Sequence, residues 1–238
     1  MANVLITGAT SGIGKSLVEL YVKEGYFVIA TGRNLEKIKE LSKYENCVVT
    51  YLDVISENCE EVLYDLSRRY DLDIIILNAG TGFVNKNLDS EKEFKAIDVN
   101  VVGFTKCLLA SYKFFEEKGK GILVGISSVA GIRGLRYAPA YSASKSYIMT
   151  YLEGLRHKSS KEKNGIHVLD IRPGFVRTPL ILNGESKKYS FGSISSEKAA
   201  KLIYKSIKRC KKVTYIPWWW SIISMVIKFL PRKIFYRI

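Results

Sequence analysis

The 238-residue sequence predicts an α/β fold: a single doubly wound parallel sheet of about seven strands, with helices on both faces. Three observations lead there. Short apolar runs alternate with longer stretches of helical period along the chain. The runs are continuously apolar rather than alternating with polar residues, as strands covered on both faces are. The first run passes through a glycine turn straight into a helical stretch. With 47% hydrophobic residues the chain can bury a large core, and no internal repeat or low-complexity linker divides it. We therefore expect one folded domain over residues 1–216, followed by an apolar and basic tail at 217–238.

The first strand, residues 3–7, ends in Gly8-Ala-Thr-Ser11-Gly12-Ile13-Gly14, and helical period follows over 15–23. Glycines let the backbone approach an anion, and a helix start offers unpaired N–H groups, so this order predicts a dinucleotide phosphate site. The second strand, 26–31, ends in Gly32-Arg33-Asn34. A carboxylate there would bind a free ribose 2′-hydroxyl, whereas Arg33 suits a 2′-phosphate and favours NADP over NAD. A solvated arginine ahead of a helix cap at Asn34 is the other reading. The third strand, 47–52, leads to Asp53 and Val54, where the acid either meets the adenine edge or caps a helix.

The fourth strand, 73–77, ends in Asn78-Ala79-Gly80, a small-residue corner where open α/β sheets bind ligands. Residues 91–117 read as one long helix interrupted in character at 98–103. Asn100 lies within it, and an amide inside a helix competes for backbone partners unless it has a task or faces solvent. The fifth strand, 121–127, runs into Ser128, a Gly/Arg loop, and a helix over 139–158 carrying Tyr141 and Lys145. At four residues' separation the phenol and the ammonium share a helix face roughly 6 Å apart. A cation there favours the phenolate and lowers its pKa, and Ser128 stands where a hydroxyl could hold the oxygen that receives the proton. A tyrosine packed on a lysine stem is the plain alternative.

The sixth strand, 166–171, ends in a stiff corner with Pro173, Gly174, Val176 and Thr178 that could rest on a cofactor. Residues 180–195 read as a mobile loop. Ser196 reads as the cap of the next helix, with Glu197 in its first turn, and 213–216 as the last strand.

Composition excludes several classes. Four scattered cysteines without CxxC spacing read as reduced thiols of a cytoplasmic protein, not as disulfides or metal ligands. Two histidines, His157 and His167, make a histidine-based metal site or triad unexpected. The N-terminus carries no secretory signal pattern.

In this order the motifs resemble the short-chain dehydrogenase/reductase family of the compact, classical type, over about residues 3–216. Thr7-Gly8-xxx-Gly12-x-Gly14, Asn78-Ala79-Gly80, Asn100, Ser128, Tyr141-xxx-Lys145 and Pro173-Gly174 carry the resemblance. It implies a Rossmann-type sheet and hydride transfer between a nicotinamide and a small-molecule carbonyl or alcohol. It further implies Tyr141 as general acid or base, Ser128 on the substrate oxygen, Lys145 on the ribose, and Asn100 holding a relay water. Ser128 is preferred to Ser127 because the family's serine lies thirteen residues before its tyrosine. The implied cofactor contacts are Gly8, Ser11, Gly12, Ile13, Gly14, Arg33, Asp53, Val54, Asn78, Ala79, Gly80, Tyr141, Lys145, Pro173, Gly174, Val176 and Thr178, with no metal. Ser11 stands where some NADP-dependent members place a basic residue, so the NADP expectation rests on Arg33. The resemblance also implies a homodimer or homotetramer built on the two long helices. A non-catalytic NADP-binding regulator or scaffold at a membrane surface is the competing expectation.

Of the formal charge of +14, eleven Lys and Arg with no Asp or Glu lie between 198 and 238, leaving +3 for the rest. Residues 216–230, IPWWWSIISMVIKFL, are too short to span a bilayer. As a helix they place Ser221, Ser224 and Lys228 on one narrow polar stripe. We expect peripheral attachment to an anionic membrane surface rather than nucleic-acid binding, with packing over the substrate pocket or a neighbouring subunit as the alternative. Phe83, Phe175 and the 180–195 loop are expected near an apolar pocket. Arg133 and Arg136 either meet an anionic substrate group or lie in solvent.

Overall fold

The computed structural model describes residues 1–179 and 192–237. The apolar runs form β1 (Asn3–Ile6), β2 (Phe27–Gly32), β3 (Cys47–Tyr51), β4 (Ile74–Leu77), β5 (Gly121–Ile126) and β6 (Ile166–Pro173). A short pair, β7 (Val176–Arg177) and β8 (Ile194–Ser195), precedes β9 (Val213–Ile216). The main sheet has seven strands in the order β3-β2-β1-β4-β5-β6-β9, and its pairings are parallel. β1 pairs with β2 on one side and β4 on the other, Val4 facing Val28 and Ile74. Strand order reverses between β1 and β4, so a crevice opens beyond their carboxyl ends.

Alternation along β1 divides the core. Val4 and Ile6 pack with Leu17, Val18 and Tyr21 of α1 (Gly12–Lys23) and with Ala199, Ile203 and Ile207 of α7 (Ser196–Lys208). Leu5 points to the opposite face, among α3 (Cys59–Arg69), α5 (Phe104–Lys118) and α6 (Pro139–Glu162). All three β1 side chains are fully buried, and truncating one such leucine to alanine costs about 2–5 kcal/mol. Between β2 and β3 lies α2 (Leu35–Lys39), and α4 (Ser90–Ile97) precedes α5.

Several boundaries differ from the sequence expectation, each for a local reason. The 91–117 helix is not continuous: Asp98–Gly103 forms a wider π-type turn between α4 and α5, at the place where Asn100 is drawn inward. α6 runs beyond 158 to Glu162, because Lys158 pairs with Glu116 and Glu162 while Ser159 donates to the carbonyl of Ile166. The cap of α7 is Ser195 rather than Ser196, its hydroxyl accepting from the Lys198 N–H. Of the expected 180–195 loop, 180–191 lie outside the described residues and 194–195 form β8. Cys59 and Cys107, far apart in sequence, meet in the core with sulfurs 3.5 Å apart. Among the described residues no helix is long and apolar enough to cross a membrane.

Candidate active site

A cavity of about 1060 Å³ occupies the crevice. One end is lined by Gly8, Ser11, Gly12 and Ile13, by Arg33 beyond β2, by Val54, and by Asn78, Ala79 and Gly80 beyond β4. Local sequence dictates that wall. Gly8 has φ +67°, and a Cβ there would lie 2.8 Å from the Cα of Ala79; a Cβ on Gly14 would lie 2.2 Å from the Gly8 carbonyl. The turn can close this tightly only without side chains. Asn78 donates its amide to the carbonyls of Thr7 and Gly8, and the Thr7 hydroxyl accepts from the N–H groups of Asn78 and Ala79. The two motifs thus lock each other, leaving the start of the twelve-residue α1 facing the cavity, where the Ser11 side chain makes no capping bond. Free N–H groups at a helix start, backed by a side-chain-free floor, fit a dinucleotide pyrophosphate.

Two expected contacts stand apart from the cavity wall. Gly14 is buried behind Gly8, and Asp53 faces Arg33 at 3.9 Å while accepting from the Ile55 N–H. Asn34 is the N-cap of α2, accepting from the Lys37 N–H, and the half-exposed Arg33 beside it lines the cavity.

At the other end Ser128, Tyr141 and Lys145 come together with Ile126, Pro173, Gly174, Phe175, Val176 and Thr178. Ser128 follows β5 with a buried hydroxyl that accepts from the Ala130 N–H. Ser127 also lines the cavity, but its hydroxyl is engaged by the carboxylate of Asp170 and the carbonyl of Ile171. Its hydroxyl is consumed in the core, and that of Ser128 is on the cavity. One turn of α6 separates Tyr141 from Lys145, whose Nζ lies 5.9 Å from the phenol ring centroid and donates to the Ile126 carbonyl at 3.0 Å. Burial pushes the Tyr141 hydroxyl above its ordinary value, with the Ser128 hydroxyl pulling the other way. Burial also brings Lys145 down to about 8, opposed by the Asp170 carboxylate. This runs against the expectation of a depressed phenol: desolvation outweighs the opposing Ser128 hydrogen bond at Tyr141 and the opposing Asp170 charge at Lys145.

Asn100 is fully buried in the π-type turn. Its amide donates to the Thr81 carbonyl and the Ser144 hydroxyl and accepts from the Thr81 N–H. Both amide protons are therefore committed to fixing the 78–81 corner against α6. Arg133 lines the cavity and is not simply solvated. Its guanidinium donates to the carbonyls of Ile227 and Leu230 and stacks on Phe235, 4.3 Å from the ring centroid. Arg136 lies over the Tyr137 ring, and Phe83 is not part of the cavity wall, whereas Phe175 is.

Sequence reasoning missed Asp170 and gave the tail's packing over the pocket, which brings in Trp220, only as an alternative. Asp170 is a fully buried carboxylate on β6, paired with the Arg172 Nε at 2.6 Å and charge-coupled to Lys145. Its signal was a lone acid inside an apolar strand run. Trp220, with Ile223, Ser224 and Ile227 from α8 (Trp219–Phe229) and Phe235 from α9 (Arg232–Phe235), closes the cavity. The polar stripe of the tail thus turns inward at Ser224, toward the pocket.

Known proteins resemble this arrangement. The sequence model of a family described as short chain dehydrogenase matches residues 2–188. An uncharacterized oxidoreductase of Myxococcus xanthus is 31% identical over 97% of this chain and 93% of its own length. A 7beta-hydroxysteroid dehydrogenase of Mediterraneibacter gnavus is 29% identical over 75% of this chain and 70% of its own. Among solved structures, ElxO with NADP bound superposes with a TM-score of 0.81 at 26% identity, covering 93% of this chain and 99% of that one.

Proposed function

Since this chain belongs to the short-chain dehydrogenase/reductase family, we propose that it is an NADP(H)-dependent oxidoreductase acting on an apolar carbonyl or alcohol. The observation that carries this is the convergence of Ser128, Tyr141 and Lys145 with the glycine-lined crevice in one cavity. Gly8, Ser11, Gly12, Ile13, Val54 and the Asn78–Gly80 corner hold the dinucleotide, with Arg33 on the 2′-phosphate and Pro173, Gly174, Val176 and Thr178 at the nicotinamide end. NADPH, when bound, supplies the hydride; the relatives solved with NADP support that choice over NAD.

The chain's own residues supply the rest. Ser128 donates to the carbonyl oxygen and fixes it beside Tyr141. The Tyr141 hydroxyl, kept protonated by burial, gives that oxygen its proton, or takes one in the oxidative direction. Lys145 holds the ribose and places positive charge beside the phenol as it loses its proton. Asn100 positions Thr81 and Ser144 around Lys145; a relay water there is held from its backbone, because its amide protons are committed.

A homodimer or homotetramer assembles on the outer faces of α5 and α6, where the large apolar side chain of Leu109 is exposed. The tail at 217–238 forms a separate attachment to an anionic membrane surface.

The test is NADPH oxidation with a panel of aldehydes, ketones and quinones, comparing the natural chain with Tyr141→Phe. Loss of the general acid lowers turnover about 10²–10⁴-fold while NADPH affinity is retained. Equal turnover by the two proteins sinks the assignment, and tight NADPH binding with no turnover by either favours a regulator.

A further inference from the structure

We propose that α8 is an interfacial door: its outer face rests on an anionic lipid surface, and its inner face is the wall through which an apolar carbonyl substrate passes from that surface to Tyr141. The proposal rests on the oxidoreductase reading and deepens it by naming the source and class of substrate.

The orientation of α8 is the first argument. A helix at a water-facing surface buries its apolar side and exposes its polar one. Here Trp218, just before α8, and Met225, Val226 and Phe229 on it are 68, 64, 59 and 76% exposed, whereas Ser224 is 2% exposed. That arrangement is inverted for water and correct for hydrocarbon. The inner face is also poorly seated. The Trp220 indole N–H and the Ser224 hydroxyl are buried without a hydrogen-bond partner among the described residues, and a buried polar group left unpaired destabilises the seated helix. Both residues line the cavity, so lifting the helix relieves the two groups and opens the substrate end together.

What keeps the door shut is local. At its far end Arg133 from the β5–α6 loop donates to the carbonyls of Ile227 and Leu230. At its near end the Trp220 ring lies edge-on to Phe175 and over Gly174, where a Cβ would come within 1.9 Å of the indole nitrogen. Beyond these, β9 anchors the tail to the sheet by pairing with β6.

Charge selects the occupant. Lys228, Arg232, Lys233 and Arg237, on α8 and in the segment that follows it, are all exposed, and no acid occurs between 198 and 238. A second copy of the chain would bring the same cationic rim against this one, whereas an anionic bilayer offers both the hydrocarbon and the opposite charge.

The experiment uses the full chain and its own fluorescence, because Trp218, Trp219 and Trp220 are its three tryptophans. Phosphatidylcholine vesicles with and without phosphatidylglycerol, carrying a doxyl-labelled hydrocarbon quencher, are mixed with the natural chain and with the double variant Met225→Glu, Phe229→Glu. The natural chain sediments at least ~tenfold more with the anionic vesicles, and the variant does not. Inner and outer faces are then read separately, Trp220 in W218F/W219F and Trp218 in W219F/W220F. Quenching of both by the bilayer-borne probe shows the pocket wall open to lipid. Quenching of Trp218 alone shows a docked but closed helix and overturns the proposal. So does equal sedimentation of the charged variant, absence of sedimentation with anionic vesicles, or loss of self-association in the variant without any vesicle binding by the natural chain. None of these readouts needs turnover, so failure here is distinct from failure of Tyr141→Phe to lose activity.

Discussion

Lys145 shows how a single buried cation records its surroundings. Its folded-state pKa of about 8 lies below the ordinary 10.5, so between these values the unfolded chain binds a proton that the fold does not. Below pH 8 both states are charged and the burial penalty is felt in full. Stability contributed by this residue therefore rises with pH through the window. From pH 8 to 10 the stability difference between the natural chain and Lys145→Met grows by roughly 2 kcal/mol in favour of the natural chain, read by urea unfolding. The tyrosines and cysteines are present in both proteins; parallel curves would falsify the burial account of Lys145. Arg33 is a second residue-scale case. Its side chain is half-exposed and only loosely paired with Asp53 at 3.9 Å, so most of its donors are uncommitted. A charge-assisted bond is worth about 1.5–3 kcal/mol, so Arg33→Asp lowers kcat/KM for NADPH by about 10–100-fold. NADH turnover is unchanged or improved. An equal loss with both dinucleotides places Arg33 outside the 2′-phosphate site.

At the scale of elements, the strands were legible because a buried parallel strand writes itself as an unbroken apolar run. The first, fourth and last strands fall within a residue of their expected bounds. The glycine turn and the Asn78–Gly80 corner were legible because each sits where an apolar run stops. What stayed hidden depended on partners far away in sequence. The π-type turn at Asp98–Gly103 follows from Asn100 bonding Thr81 and Ser144, nineteen and forty-four residues distant. The upward pull on Tyr141 follows from desolvation by residues the fold brings around it, which the i, i+4 spacing to Lys145 does not report. The tail helix shows the same limit. Its polar stripe was visible, but the direction it faces is set by Arg133 and Phe175 of the body.

For the whole molecule, we expect the body at 1–216 and the apolar, basic tail at 217–238 to behave as separable parts. The sheet closes its order at β9, so the seven strands and both helical layers are complete before Pro217. What α8 and α9 add to the body is the Arg133 latch, the Trp220 contact with Phe175, and Trp219 against the core that contains Ile216. They remove limited apolar surface from water, since Ile222, Met225, Val226 and Phe229 of α8 remain exposed while Trp219, Trp220 and Ile227 are partly buried. A chain ending at residue 216 therefore folds cooperatively, with a Tm lowered by no more than roughly 2–4 °C per kcal/mol of lost contact. Its NADPH affinity stays within about threefold of the full chain, because the cavity's glycine-lined end lies entirely in the body. Turnover of large apolar ketones falls more than turnover of small ones, since only the former need the wall that Trp220, Ile223 and Ile227 provide. Calorimetry and fluorescence titration check the first two outcomes. An insoluble or molten 1–216 chain refutes the division and makes the tail part of the folding core.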